Sequence, residues 1–236
     1  MALIRGTRHD DTLYASDGDR VNAFAGDDSV FTYGGTLYVQ MGRGNDTVEN
    51  VNATGGEVWA GVGDDAVYWF GAGQIVGGKG NDLIIALDGS NLYGDEGPGL
   101  AHRTAGNDIL QTYATSAGGV STQTGGKGAD WHVFAAQYDG LGGASVCDVT
   151  DFTAGQDKLA MSLSFGLPAG GSYLNSAQIW AILDTNGDGV LNGTDVPPDA
   201  GSGTAVVGDN LAIRVGDDTM WIEHTTSITA ADWLFT

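Results

Sequence analysis

Along the first half of the chain, large apolar residues come one at a time, each flanked by polar or small neighbours. Glycines and an aspartate precede many of these short units. Gly77-Gly78-Lys79-Gly80-Asn81-Asp82-Leu83-Ile84-Ile85 carries the full nine-residue pattern G-G-x-G-x-D-x-U-x, where U is a large apolar residue. The x-U-x part is a minimal strand, its apolar side chain turned in and its neighbours out. Such a strand buries too little surface to stand alone, so copies of it have to stack, and the regular repeat implies a solenoid.

Alignment on the aspartate sets the register. The good copies span 23–31, 41–49, 60–68 and 77–85, and their aspartates, Asp28, Asp46, Asp65 and Asp82, stand 18, 19 and 17 residues apart, twice the repeat. Between them lie half-copies that keep the strand and lack the acid: Gly35-Thr36-Leu37-Tyr38, Gly56-Glu57-Val58-Trp59, Gly73-Gln74-Ile75-Val76 and Ser90-Asn91-Leu92-Tyr93. The alternation predicts an all-β, right-handed parallel β-roll with two turns per coil, acidic along one edge only. Degenerate copies carry Asp11, with His9 where a glycine belongs, and Asp19. After an insert over 94–105 the pattern resumes at Gly106-Asn107-Asp108-Ile109-Leu110. After a second, over 112–124, it returns as Gly125-Gly126-Lys127-Gly128-Ala129-Asp130, with His132 in the apolar place. Both inserts read as surface decoration or, together on one coil edge, as a binding loop.

From Val146 the pattern changes, which divides the chain into a roll over 1–145 and a β-rich cap over 146–236. Ile179, Trp180, Ile182 and Leu183 are spaced for a short amphipathic helix. Asn210 to Ile213 and Thr219 to Glu223 alternate as a hairpin around Gly216-Asp217-Asp218. Pro197-Pro198 rules out a long helix between them.

Composition sharpens this picture. The chain has 236 residues, 40 of them glycine and only 4 proline, and a formal charge of −21. That charge excludes nucleic acid and anionic membrane as partners. Only Glu49, Glu57, Glu96 and Glu223 are glutamates; the other acids are the shorter-armed aspartate, which suits tight turns and cation cages. Cys147 is alone, so no intrachain disulfide forms, and a small buried apolar side chain is the expected role. No apolar run is long enough to span a membrane, and no basic-then-apolar leader follows Met1.

The chemistry follows from the residue types. Glycine takes positive φ and turns backbone carbonyls inward, aspartate adds a hard anionic oxygen, and Ca²⁺ collects six to eight oxygens at roughly 2.3–2.6 Å. The expected ligands of several Ca²⁺ ions are therefore Asp28, Asp46, Asp65, Asp82 and Asp108, with Gly42, Gly44, Gly61, Gly63, Gly78 and Gly80 from the turns. Asp27 and Asp64 should face solvent, while Asp11, Asp19 and Asp130 stay open. A separate site is expected at 184–195, which matches the twelve-residue EF-hand loop through Asp184, Asn186, Asp188, the Val190 carbonyl, Asn192 and Asp195. Aspartate in place of glutamate at the last position shortens its reach. Tyr38, Trp59 and Tyr93, with Val76 between, should form an outward ladder open to a glycan, to a second copy or to the protein itself. Glu96 and His102, together in the first insert, are the available acid–base pair.

On these motifs the chain resembles the RTX (repeat-in-toxin) family of secreted bacterial proteins. Asp151-Phe152 through Gly155-Gln156-Asp157-Lys158-Leu159 is similar to the D-F-x-x-G-x-D-K-[LI] segment that follows the roll in serralysin-type carboxy-terminal domains. Asp232-Trp233-Leu234-Phe235 is similar to the terminus read by type I secretion systems. The resemblance implies a calcium-binding, extracellular or cell-surface protein, exported without an amino-terminal signal peptide by the type I apparatus and folded by calcium outside the cell. It leaves the task open among a structural or matrix component, a glycan-binding module and a small enzyme acting on an extracellular polysaccharide.

Overall fold

The computed structural model describes residues 1–87, 89–95, 97, 105–115, 117–138, 143–165, 172–195 and 202–235. Strand dominates among them, with one short α-helix, and the chain divides into two compact units. One comprises Met1–Leu110 with Gly125–Asp130, the other Gln111–Thr124 with Trp131–Thr236.

In the first unit each strand pairs in parallel with the strand one coil on. Along one wall Thr12–Ser16, the first part of Ser29–Arg43, the first part of Thr47–Val62, Ala66–Gly71 and Leu83–Leu87 follow one another. Along the other wall come Arg20–Ala25, the later parts of Ser29–Arg43 and Thr47–Val62, Gln74–Lys79 and Asn91–Tyr93. Single apolar residues therefore stack into two inward columns, Val30–Val48–Val67–Ile84 and Val21–Val39–Val58–Ile75–Leu92, none more than 1 % exposed. Each contributes about 1.5–3 kcal/mol by burial. The expected all-β parallel roll is the observed fold.

The edge opposite the aspartate row differs from expectation in one respect. Ser29–Arg43 and Thr47–Val62 run unbroken through it for 15 and 16 residues. Glycines at positive φ (Gly34 67°, Gly35 74°, Gly55 159°, Gly56 138°) let the strand bend there without ending. On the next coil Trp69 fills this edge from inside, fully buried, its indole N–H donating to the Ala72 carbonyl at 3.2 Å. A Cβ at Gly56 would come within 2.8 Å of its ring, and one at Gly73 within 2.6 Å of its Nε1. Glycine on this edge makes room for tryptophan.

In the second unit Val120–Thr124 pairs in parallel with Val146–Val149, and Trp131–Tyr138 with Lys158–Phe165. Asp218–Ile222 adds a further parallel strand beside Val146–Val149. Chain direction then reverses: Asn210–Val215 lies antiparallel to Asp218–Ile222 across the expected turn, and Ser202–Val207 antiparallel to Asn210–Val215. The predicted helix is Ser176–Leu183, opened by a reciprocal capping box between Asn175 and Gln178. Its Ile179, Trp180 and Leu183 enter the core, while Ile182 stays 40 % exposed. Trp233 closes on the same core, donating to the Ser176 carbonyl at 2.9 Å. The 151–159 turn is tied to the end of the chain by Gly155 N–H to Asp232 Oδ1 at 2.7 Å and Leu234 N–H to the Leu159 carbonyl at 2.8 Å.

Candidate metal centre

Along the acidic edge of the first unit the aspartates form a ladder. Each Oδ1 accepts the backbone N–H of the aspartate one coil earlier: Asp28 from Asp11, Asp46 from Asp28, Asp65 from Asp46, Asp82 from Asp65, Asp108 from Asp82 and Asp130 from Asp108, all at 2.7–2.9 Å. All six acceptor carboxylates are buried, with at most 2 % of each residue exposed. The second oxygen of Asp28, Asp46, Asp65, Asp82 and Asp108 has no hydrogen-bond partner. These are the five aspartates that the repeat singles out, and a buried acceptor left without a donor is costly.

Burial is the main electrostatic effect. It pushes the carboxyls of Asp46 and Asp82 up to about 7 and those of Asp65 and Asp108 up to about 8, and raises Asp28 as well. The backbone N–H bonds pull the other way, and neighbouring carboxylates add to the rise. Without a counter-charge the row resists ionisation.

The backbone supplies the rest of the oxygen set. Gly42, Gly44, Gly61, Gly63, Gly78 and Gly80 all have φ between 117° and 140°, which disfavours any other residue. A Cβ at Gly63 would lie 2.0 Å from the Gly44 carbonyl oxygen, and one at Gly80 2.0 Å from that of Gly63. In the later turns a Cβ at Gly77 would meet both Asp82 Oδ2, at 2.3 Å, and the Gly94 carbonyl oxygen, at 2.5 Å. Orphaned carboxylate oxygens thus face carbonyl oxygens across a gap that side chains would fill, a donor set that suits a hard divalent cation. The residues present fit calcium.

The uncommitted acids separate cleanly. Asp130 joins the ladder. Asp11 Oδ2 instead accepts from Thr7, from N–H at 2.5 Å and from Oγ1 at 2.8 Å. Asp19 lies on the opposite edge, its carboxylate accepting from Ala2 and Ser16 N–H. Asp27 and Asp64 are exposed but not idle. With Asp10, Asn45, Asn81 and Asn107 they form an outer ladder in which each Oδ1 accepts an N–H from the next coil at 2.8–2.9 Å.

At 184–195 the loop is preshaped by its own side chains. Asp184 Oδ2 accepts from Gly189 N–H (3.1 Å), Asn186 Oδ1 from Asp188 N–H (2.9 Å), Asp188 Oδ1 from Val190 N–H (2.8 Å) and Asn192 Oδ1 from Thr194 N–H (2.7 Å). Asp184 Oδ1 is buried with no partner. Asp195 is 1 % exposed and gives one oxygen to Thr185 N–H and the other to Asn192 N–H, which locks the loop shut. Val190–Asn192 pairs antiparallel with Ser227–Thr229. Pro197-Pro198 lie outside the described residues, as do Glu96 and His102.

The aromatic ladder needs correction. Trp59 is in register with Gln40, Val76 and Tyr93, whereas Tyr38 is in register with Arg20 and Glu57. Leu37 and Val39 both point inward, at 2 % and 0 % exposure, and the register uses Val39. An alignment on Leu37 therefore displaces Tyr38 by two positions, and Gln40 takes the place beside Trp59. Arg20 sits 4.5 Å above the Tyr38 ring, and the Trp59 indole donates to Glu57 at 2.6 Å. Buried Gly97 packs on Trp59 and Val76, where a Cβ would come within 2.9 Å and 3.0 Å of their side chains.

The exposed aromatic face lies elsewhere, on the strands that follow the acidic turns. Tyr14 stacks on Phe31 at 5.7 Å, and Tyr33, Val51 and Phe70 continue beside them. A groove of about 410 Å³ runs between Tyr14, Phe31, Tyr33, Glu49 and Val51. Position nine of each full copy, and the position two further on, signal this face in the sequence.

No family model matches the chain, and no curated protein matches it. Among solved structures it is similar to the extracellular lipase LipA from Serratia marcescens, with 13 % identity, a TM-score of 0.29, 99 % of this chain and 40 % of that one covered. No helix among the described residues is long and apolar enough to cross a membrane.

Proposed function

We propose that the chain is an extracellular calcium-binding protein whose first unit is a β-roll held together by a row of divalent cations, serving as a structural, cell-surface or matrix component. One observation carries the reading. Five buried aspartates in register each present an oxygen with no hydrogen-bond partner to an edge made of backbone carbonyls. Asp28, Asp46, Asp65, Asp82 and Asp108 hold the ions from one side and the glycine turns from the other. The bound ion supplies the positive charge that lets these carboxyls ionise while buried. The chain's own part is to bring acids of neighbouring coils into one line through the Oδ1 bonds, so that coil stacking and ion binding are one event. Asp184, Asn186, Asp188, Val190, Asn192 and Asp195 form an independent, weaker calcium loop. Export through a type I apparatus as an unfolded chain, with folding where calcium is abundant, follows from the same coupling.

Calorimetric titration of the metal-free protein with calcium, alongside circular dichroism, tests the reading. Several ions should bind with a gain of β structure, and Asp65→Asn should weaken both. Absence of binding, with a β spectrum indifferent to chelator, would refute it.

A second reading rests on a different observation: Tyr14, Phe31 and Tyr33 are 72 %, 37 % and 71 % exposed on one flat face. Aromatic faces of this kind stack on sugar rings, so the unit would also bind a neutral glycan. Affinity electrophoresis in soluble polysaccharides, with Tyr14→Ala and Tyr33→Ala as controls, decides it; no retardation of the native chain removes it.

A further inference from the structure

The acidic edge is not uniform. In one column of the acidic edge the successive turns carry Phe24, Gly42, Gly61 and Gly78, each in register with the next. The following turn places Asp95 there, and the turn after it Gly126: Gly78 N–H donates to the Gly94 carbonyl, and Asp95 N–H to that of Gly125. Asp95 is 1 % exposed. Its Oδ2 accepts the Lys127 N–H at 2.7 Å and occupies the space beside Gly126, where a Cβ would come within 2.4 Å of it. Asp95 lies close enough to Asp82 and Asp108 for its charge to act on both, and Asp130 acts on Asp108 as well. At this end Asp95 adds a buried carboxylate beside the ladder acids Asp82, Asp108 and Asp130, in a column that the other turns fill with glycine or Phe24. The Oδ2 atoms of Asp82 and Asp108 have no hydrogen-bond partner there.

We infer that Asp95 makes the Asp82–Asp108 end of the edge a carboxylate-rich calcium site, the tightest of the row and the first to fill. The inference rests on the reading of the row as a calcium site and adds a ligand that the repeat does not contain. Calcium affinity rises with the number of charged ligands, and an aspartate in a glycine position adds one charge without lengthening the turn. Coils then stack outward from this end, because an ion held here orders the two turns it bridges.

Asp95→Asn is the discriminating variant. It keeps the volume and an oxygen for the Lys127 N–H, and removes only the charge. Calorimetry of the full chain with calcium chloride should show a tight phase followed by weaker ones. D95N should weaken the tight phase by about tenfold and leave the later phases in place. Asp46→Asn, far along the row, should do the reverse. The calcium midpoint of folding, read by circular dichroism, gives a second measure: D95N should raise it by about tenfold, and Asp95→Glu, which keeps the charge, by less than about threefold. D95N isotherms that superimpose on the native ones, or equal midpoint shifts for D95N and D95E, would overturn the inference, leaving Asp95 as a stand-in for a backbone carbonyl. A native chain that binds no calcium would instead remove the reading of the whole row.

Discussion

His132 shows what a single residue does against the pattern. The repeat calls for a large apolar side chain there, and the histidine obeys by turning fully inward, where both ring nitrogens are buried without a hydrogen-bond partner. Burial pushes its pKa down to about 3 from an ordinary 6.5. Between those values the unfolded chain takes up a proton that the folded chain refuses, so this residue removes stability as pH falls from 6.5 towards 3. His132→Leu should therefore stabilise the second unit by roughly 1–3 kcal/mol at neutral pH, where only the unpaired nitrogens are relieved. Its margin over the native chain should widen as the solution is acidified. Urea titrations of both proteins at pH 7 and pH 5 check this, and a margin that shrinks at pH 5 would mean the imidazole finds a partner. Cys147, also fully buried, behaves as the sequence suggested: its thiol is pushed up to about 12 by burial, and the group is inert.

At the scale of the element, the turns decide what was legible. The acidic turns could be read from sequence because their chemistry is local: glycine supplies the positive φ, aspartate the ladder bond, and the next residue starts a strand. Asp28, Asp46, Asp65, Asp82 and Asp108 all stand in the expected line for that reason. The opposite turns were harder. Gly56 and Gly73 there answer to the side chain of Trp69, which the repeat does not contain, and the alternation Leu37-Tyr38-Val39 offers two equally apolar registers, of which the coil uses one. Asp95 was hidden in another way, since it falls inside the stretch 94–105 that reads as an inserted loop. Gly73→Ala tests the dependence on Trp69: the new methyl would press on Trp69 Nε1 and break its bond to Ala72, at a cost of about 1–3 kcal/mol. A melting temperature unchanged by the substitution would show that the tryptophan has room to yield. The 184–195 loop was legible through its spacing, and its hydrogen bonds explain how it keeps its shape. Replacing Asp184 and Asp188 by Ala should remove about one calcium from the titration while the roll still folds. Loss of all calcium-dependent structure in that variant would show that the loop and the roll fold as one.

The balance of charge sets the behaviour of the molecule as a whole. With a net charge of −21 and a line of acids one coil spacing apart, the metal-free chain carries a repulsion that adds to the backbone entropy its single-residue columns already have to offset. Two unit charges about 4 Å apart repel by about 1 kcal/mol in water and several times more where water is excluded. Protons relieve the same strain that calcium does. In the folded, metal-free edge the carboxyls of Asp46, Asp65, Asp82 and Asp108 titrate near 7 to 8, against an ordinary 3.8. Across that interval the folded edge holds more protons than the unfolded chain, so its stability is full below 3.8 and is lost as pH rises through 7 to 8. The chelated protein should therefore keep β structure near pH 5 and lose it near pH 8, and calcium at pH 8 should restore it with the release of protons. Because His132 acts in the opposite direction in the second unit, the comparison is cleanest in the His132→Leu chain. Circular dichroism in chelator across pH 5 to 8, with proton release measured by calorimetry in two buffers of different ionisation heat, gives the answer. Equal structure at both ends of that range, with no protons released on binding, would mean that the apolar columns hold the coil unaided and the carboxylate row answers to something other than charge.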